Sequence, residues 1–257
     1  MRIGIVLTLA ASLITLFCSK PRKKVVVPNI PIVAPEVVRI IPHDSLAFTQ
    51  GLVYANGRLY ESTGLYGRST LRVIDTTDGR PLRIKPVSDV FAEGLALFHG
   101  KLIQLTWKES MAFVYDTVSL GVIDTLHYSG EGWGLASGPG WMVMSNGSSS
   151  LFFRNASFTV TRRLTVKNSD RELDNLNELE YARGRIYANV WYNDFIFEID
   201  PESGLVTRMI DCTHLVSQSG ARGEDAVLNG IAYNPEKGTF YVTGKNWPTM
   251  FEVKIPS

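Results

Sequence analysis

Cysteine is nearly absent from this chain: Cys18 and Cys212 are the only two in 257 residues. If Cys18 is lipidated or removed, no intramolecular disulfide can form, and the fold must rest on its apolar core alone. Cys212, in the string Met209-Ile-Asp-Cys, reads as a small buried hydrophobe rather than a nucleophile. Histidine is almost as sparse. His43, His99, His127 and His214 are scattered with no ligand spacing, which argues against a histidine-based metal site. No long helical pattern is visible, and no sign of charge dominates. The formal net charge is +1, unevenly spread: Arg2, Lys20, Arg22, Lys23 and Lys24 precede every acidic residue, and residues 25–257 hold 21 basic against 25 acidic groups. That balance leaves no electrostatic footprint for nucleic acid.

Long apolar runs are also lacking, except at the start. Ile3 to Phe17 follows the charged Arg2 and is too short for a comfortable transmembrane helix, but suits the apolar region of an export signal. Cys18 comes next, placed as in a bacterial lipoprotein processing site, although Phe17 is bulky where a small residue is expected. Residues 1–18 are therefore read as an export segment with Cys18 as a lipidation candidate. An uncleaved anchor and a simple secretory signal are the alternatives. The expected location is periplasmic or membrane-anchored, with membrane contact only through this segment. Residues 19–36, basic and then carrying Pro28, Pro31 and Pro35, read as an extended tether.

What the chain has in plenty is short strands with tight turns. Five copies of one hairpin pattern begin at Gln50, Glu93, Trp133, Asn177 and Asn229, separated by 43, 40, 44 and 52 residues. A period of roughly 40–50 residues built of short strands marks a β-propeller with one four-stranded blade per repeat. The expected fold is all-β: a five-bladed propeller over residues 37–257, its last blade completed by an N-terminal strand at Val37–Pro42. Gly51, Gly94, Gly134 and Gly230 follow the first residue of their repeats, where inner strands crowd the axis. Repeat four has Glu178 there instead. In an antiparallel hairpin the start of the first strand and the end of the second share an edge. Gln50, Glu93, Trp107, Trp133, Asn177, Trp191 and Lys245 should thus gather at one mouth of the central channel.

With the repeats aligned, longer strings stand out: Phe48-Thr-Gln-Gly-Leu52, Tyr60-Glu-Ser-Thr-Gly-Leu-Tyr-Gly67, Phe91-Ala-Glu-Gly-Leu95, Gly132-Trp-Gly-Leu135, Leu176-Asn-Glu-Leu-Glu-Tyr181 and Leu228-Asn-Gly-Ile-Ala232. Ala188-Asn-Val-Trp191 and Val242-Thr-Gly-Lys-Asn-Trp-Pro248 extend them. Together they resemble the plant-type glutaminyl cyclases and their bacterial relatives, over roughly residues 37–255. The resemblance implies a five-bladed propeller that converts the N-terminal glutamine of a peptide to pyroglutamate with release of ammonia. It implies a catalytic carboxylate at Glu93, with Asn177 and Lys245 beside it. It also implies a substrate pocket of Phe48, Gln50, Phe91, Trp107, Trp133 and Trp191. Ala92 replaces the glycine common in plant members. The resemblance does not account for the tether or for the extra length before Asn229.

Such a site needs no metal and no nucleophilic serine or cysteine, because the substrate's own amine attacks its own amide. A structural calcium ion in the channel stays open on this reading, as do two other functions. One is a propeller that only binds peptide N-termini or a partner protein; the other is a metal-dependent hydrolase such as a lactonase. The lactonase reading wants several acidic or amide ligands at the axis, where three mouth positions here are tryptophan. One tryptophan at a blade end is more often packing, but three at equivalent ends facing Glu93 read as a pocket wall. Their contacts surround one side chain, so substrate residues after the first are expected to matter less. Glu61 is read as structural, and Glu178 and Glu180 as channel residues. A monomer is expected.

Overall fold

The computed structural model describes residues 30–87 and 89–256. Cys18, the export segment and the first part of the tether lie outside them. Two strands precede the repeats, β1 (Ile32–Val33) and β2 (Glu36–Pro42). Blade one is β3 (Thr49–Ala55), β4 (Arg58–Thr63), β5 (Thr70–Asp75) and β6 (Pro81–Pro86). Blade two is β7 (Ala92–Phe98), β8 (Lys101–Thr106), β9 (Met111–Asp116) and β10 (Val122–His127). Blade three is β11 (Leu135–Gly138), β12 (Trp141–Met144), β13 (Ser150–Arg154) and β14 (Val160–Thr165). A small hairpin, β15 (Lys167–Asn168) and β16 (Arg171–Glu172), leads to blade four: β17 (Leu176–Ala182), β18 (Arg185–Val190), β19 (Phe195–Ile199) and β20 (Val206–Asp211). The short helix α1 (Thr213–Gln218) then precedes β21 (Leu228–Asn234), β22 (Thr239–Gly244) and β23 (Thr249–Lys254) of blade five.

Local chemistry explains the inner hairpins. Asn56 and Gly57, with φ of 50° and 74°, form a two-residue turn whose left-handed backbone suits the twist of the flanking strands. His99-Gly100 and Arg183-Gly184 repeat that turn one and three blades on. Burial then grades outward: β3 and β7 are buried along most of their length, whereas β6 and β10 are largely exposed. Five apolar clusters fill the five blade interfaces. Tyr187, Ile210, Phe240 and Phe251 join blades four and five, for example, and Leu71, Leu95 and Tyr115 join blades one and two.

The ring closes as the sequence predicts, with β2 pairing antiparallel to β23 as the outer strand of blade five. One boundary differs. The sequence places the end of the tether at residue 36, yet β1 pairs in parallel with β20 and makes blade four five-stranded. Pro31 contributes through its carbonyl, which accepts from Met209 N–H at 2.9 Å. Proline cannot donate but can accept, so a proline-bearing segment still docks along a sheet edge.

The axis accounts for both the glycines and their exception. A Cβ on Gly94 would lie 2.5 Å from the Leu135 amide nitrogen of the next blade. Glu178 occupies the equivalent position in blade four and sends its carboxylate across the channel. There it accepts from Leu52 N–H at 3.2 Å and Ile231 N–H at 3.0 Å, on blades one and five. Burial, reinforced by Glu180, holds the Glu178 pKa well above the usual carboxylate range. Glu180 accepts from Tyr233 N–H, and burial pushes its pKa up to about 8. Glu61 lies away from the mouth. Its Oε1 meets His43 Nε2 at 2.8 Å and the Thr49 hydroxyl at 2.7 Å, while Oε2 lies 3.7 Å from Arg72.

Candidate active site

β-Bulges place the polar residues of the mouth. The β3–β4 register shifts between Thr49 and Gly51, at Gln50. Equivalent shifts fall between Ala92 and Leu95, between Leu176 and Leu179, and between Leu228 and Ile231, at Glu93, Asn177 and Asn229 respectively. A bulge adds a residue to one strand and re-aims its side chain. Of the four residues so placed, Gln50, Glu93 and Asn177 line the channel mouth.

The resulting cavity, of about 180 Å3, is lined by Phe48, Gln50, Phe91, Glu93, Trp107, Trp133, Asn177, Trp191, Asp225 and Lys245. All nine pocket residues expected from the sequence are thus brought together. Glu93 is 5% exposed and accepts one hydrogen bond, from Gln50 Nε2 at 3.1 Å. Burial raises its pKa well above the usual carboxylate range; Lys245 opposes the shift, while Glu131 and Glu109 add to it. Lys245 is equally buried, with Nζ 4.8 Å from the Phe48 ring centroid. Burial lowers its pKa, and Glu93 and Asp225 pull it back up. Asn177 Oδ1 is buried with no hydrogen-bond partner among the described residues, an acceptor left for something that enters.

The aromatic walls meet edge to face. Phe91 lies 6.2 Å from Phe48 and 5.5 Å from Trp107, and Trp133 lies 5.6 Å from Trp191. Two indoles are already committed: Trp107 and Trp133 donate to the same oxygen of Glu131, at 2.8 and 3.0 Å. Neither of these two indole N–H groups is free to stabilise an oxyanion. Donors for that purpose are left to Lys245, Asn177 and Trp191, which is 39% exposed at the rim.

Three functional neighbours escape the repeat pattern or are easily overlooked within it. Asp225 lines the cavity from the extra length before blade five, where it accepts from the Tyr192 hydroxyl at 2.8 Å. Glu131 belongs to a connection between blades and carries no repeat signal. Asn229 does carry one, since it begins repeat five as Gln50 begins repeat one. Its Nδ2 donates to Thr49 O at 2.9 Å and Gln50 Oε1 at 3.3 Å, which turns the Gln50 amide so that its NH2 faces Glu93. Among the described residues no group of three histidine, cysteine or acidic side chains is placed to hold a metal ion.

Residues 8–255 match the model of the family described as glutamine cyclotransferase. The chain is 40% identical over 227 residues to a glutaminyl-peptide cyclotransferase of Arabidopsis thaliana, across 86% of this chain and 71% of that protein. Its fold superposes on the crystal structure of Myxococcus xanthus glutaminyl cyclase with a TM-score of 0.84 and 38% identity, across 88% of this chain and 97% of that one. A family match over nearly the whole propeller, around a mouth built from the repeat strings at Phe48–Leu52, Phe91–Leu95 and Leu176–Tyr181, has one reading: the chain belongs to the glutamine cyclotransferase family.

Proposed function

We propose that this protein is a glutaminyl-peptide cyclotransferase that acts on peptides or proteins with an N-terminal glutamine, with Glu93 as its proton shuttle. The α-amine, as free base, attacks the Cδ carbonyl of its own side chain. Closure forms the C–N bond of a five-membered ring and a tetrahedral oxyanion; collapse breaks the bond to the side-chain nitrogen, which leaves as ammonia. Because the attack is intramolecular, holding the chain folded back offers at most about 7–11 kcal/mol of proximity advantage. What remains is proton traffic. Glu93 takes the proton the amine loses and returns it to the departing nitrogen, a contribution of about 10²–10⁴-fold. Its raised pKa suits both halves of that exchange. Lys245 and Asn177 supply hydrogen bonds to the oxyanion, where a water-poor aromatic site makes them count for more.

The observation that carries this reading is a single buried carboxylate, held by one amide, in a cavity of about 180 Å3 walled by five aromatic side chains. That volume lies below the roughly 300–1,000 Å3 of sites for drug-sized ligands and suits one side chain. The test is ammonia release from Gln-, Glu-, Asn- and acetyl-Gln-initiated peptides, with EDTA present throughout. Only Gln should react quickly. Glu brings a carboxylate to a pocket that already holds Glu93, Asn would close a four-membered ring, and acetylation removes the nucleophile. Comparable rates for Gln and acetyl-Gln would mean amide hydrolysis. Loss of all activity with EDTA would favour the metal-dependent alternative, and no ammonia from any peptide the binding-only one. Export through residues 1–18, lipidation at Cys18 and a monomeric propeller complete the proposal, none of them required by the chemistry.

A further inference from the structure

A second cavity, of about 350 Å3, runs between blades two and three beside the candidate active site. Glu131 belongs to both places: it lines this cavity while its carboxylate holds the Trp107 and Trp133 indoles of the first. Asn146 also lines it, next to Gly147, against which the Trp133 ring packs. The two spaces are thus about one side chain apart. Arg154, at the end of β13, lines the second cavity and is 5% exposed. Among the described residues its one hydrogen bond runs from Nη1 to the Phe158 carbonyl at 2.7 Å, and Nε is buried with no acceptor. The guanidinium carbon lies 4.6 Å from the Phe158 ring centroid and 5.6 Å from that of Tyr128. Among the described residues the other buried arginine, Arg72, pairs with Asp44, whereas Arg154 has no carboxylate partner.

We propose that this cavity is a subsite for a carboxylate carried by the peptide substrate beyond its N-terminal glutamine, with Arg154 as the cation that receives it. The inference rests on the cyclotransferase reading and adds a preference to it. A buried guanidinium without a counter-charge is costly, and an incoming carboxylate restores the missing partner. Arginine suits the role because its planar fork binds a carboxylate through two parallel N–H groups. The carbonyl of Phe158 and the two rings fix the plane of that fork in advance. Glu131, at the end nearest the active site, repels an acidic group placed there, so the carboxylate must reach past it. Each residue spans at most about 3.3–3.6 Å, so the carboxylate is assigned to the third or fourth substrate residue, beyond Glu131, rather than to the second.

The test compares kcat/KM for Gln-Ala-Ala-Ala amide with peptides carrying Glu, or Lys, at position two, three or four. Each peptide is assayed on wild type, Arg154→Met and Arg154→Lys. Wild type should favour Glu at position three or four by about tenfold over Ala, the size of one partly exposed charge-assisted hydrogen bond, and should disfavour Lys. The preference should vanish in Arg154→Met and survive in part in Arg154→Lys. Ratios within one variant cancel any loss of folded enzyme. Inorganic phosphate, against chloride at matched ionic strength, should slow the favoured acidic peptide selectively. Equal slowing of the all-alanine peptide would assign the cavity to a free anion and overturn the peptide subsite. So would an absence of acidic preference in wild type, or its persistence in Arg154→Met. A wild type that releases ammonia from every Gln peptide equally refutes only the subsite; one that releases none refutes the cyclotransferase reading itself.

Discussion

Glu93→Gln separates proton transfer from shape. The amide keeps an oxygen where Gln50 Nε2 now donates at 3.1 Å, so both the local hydrogen bond and the volume survive. Proton exchange does not. Loss of a shuttle worth about 10²–10⁴-fold corresponds to about 3–5 kcal/mol of transition-state stabilisation at 1.36 kcal/mol per decade. Turnover of a Gln-initiated peptide, followed as ammonia, should fall by that factor while substrate affinity holds. Stability should move the other way. Glu93 has a folded-state pKa raised above its ordinary 4.5 by burial, so the folded protein holds the proton more tightly than the unfolded chain. Stability is then lost as pH rises from about 4.5 towards the folded value. The glutamine variant lacks that loss, so its melting temperature should exceed wild type at pH 8 and converge with it in acid. The gain is offset in part because Lys245 loses the charge that supports its own protonation. Turnover within tenfold of wild type would remove Glu93 from the mechanism. A variant less stable at pH 8 than at pH 5, relative to wild type, would refute the account of its burial.

Other perturbations probe the frame. Glu61→Gln breaks a buried cluster with His43 and Arg72 and should cost about 3–5 kcal/mol, read as a fall of about 10 °C in melting temperature. The deficit should be largest between about pH 4.5 and 6.5. Glu61, with its pKa lowered, stabilises above 4.5, and His43, with its pKa raised, stabilises below 6.5; each contribution fades as pH passes the corresponding folded value. Gly134→Ala places a Cβ against the Asn177 carbonyl and 2.9 Å from Glu178 Cα, so it should destabilise by about 1–3 kcal/mol and raise KM by shifting Asn177; an unchanged KM would count against that site geometry. Removal of residues 1–29 should leave the melting temperature intact, removal to 36 should lower it slightly through loss of β1, and removal to 43 should lower it sharply by exposing β23. Equal midpoints for the last two cuts would refute closure by β2.

The sequence discloses the frame because a frame repeats. Five hairpins recur at intervals of 40 to 52 residues, three of them with Asn56-Gly57-type turns and four with a glycine after the repeat's first residue. The pocket is legible for the same reason: equivalent ends of equivalent strands must meet at one mouth. What repetition does not encode stays hidden. β1 docks through backbone groups of a proline-bearing stretch that looks like a spacer. Asp225 and Glu131 sit on connections whose lengths differ from blade to blade, so no alignment of repeats points to them. Arg154 lies in an outward strand, where a charged residue ordinarily means solvent, and only the packing of Tyr128 and Phe158 over it reveals its burial.

The bulges show how a fivefold scaffold yields a one-sided site. Four inner strands shift register at the mouth, and the residues there, Gln50, Glu93, Asn177 and Asn229, occupy one structural position with four different settings. Only one of them titrates. Had two carboxylates stood at this row, each would have raised the other's pKa and one would have stayed protonated at neutral pH. Amides at the remaining positions solve this without charge. Asn229 orients Gln50 and Gln50 holds Glu93, while Asn177 keeps an open acceptor facing the cavity. The next row inward inverts the pattern: glycine on four strands and the lone Glu178 on the fifth, tied to backbone amides of two other blades. The propeller supplies equivalent places, and the chemistry comes from filling each of them differently.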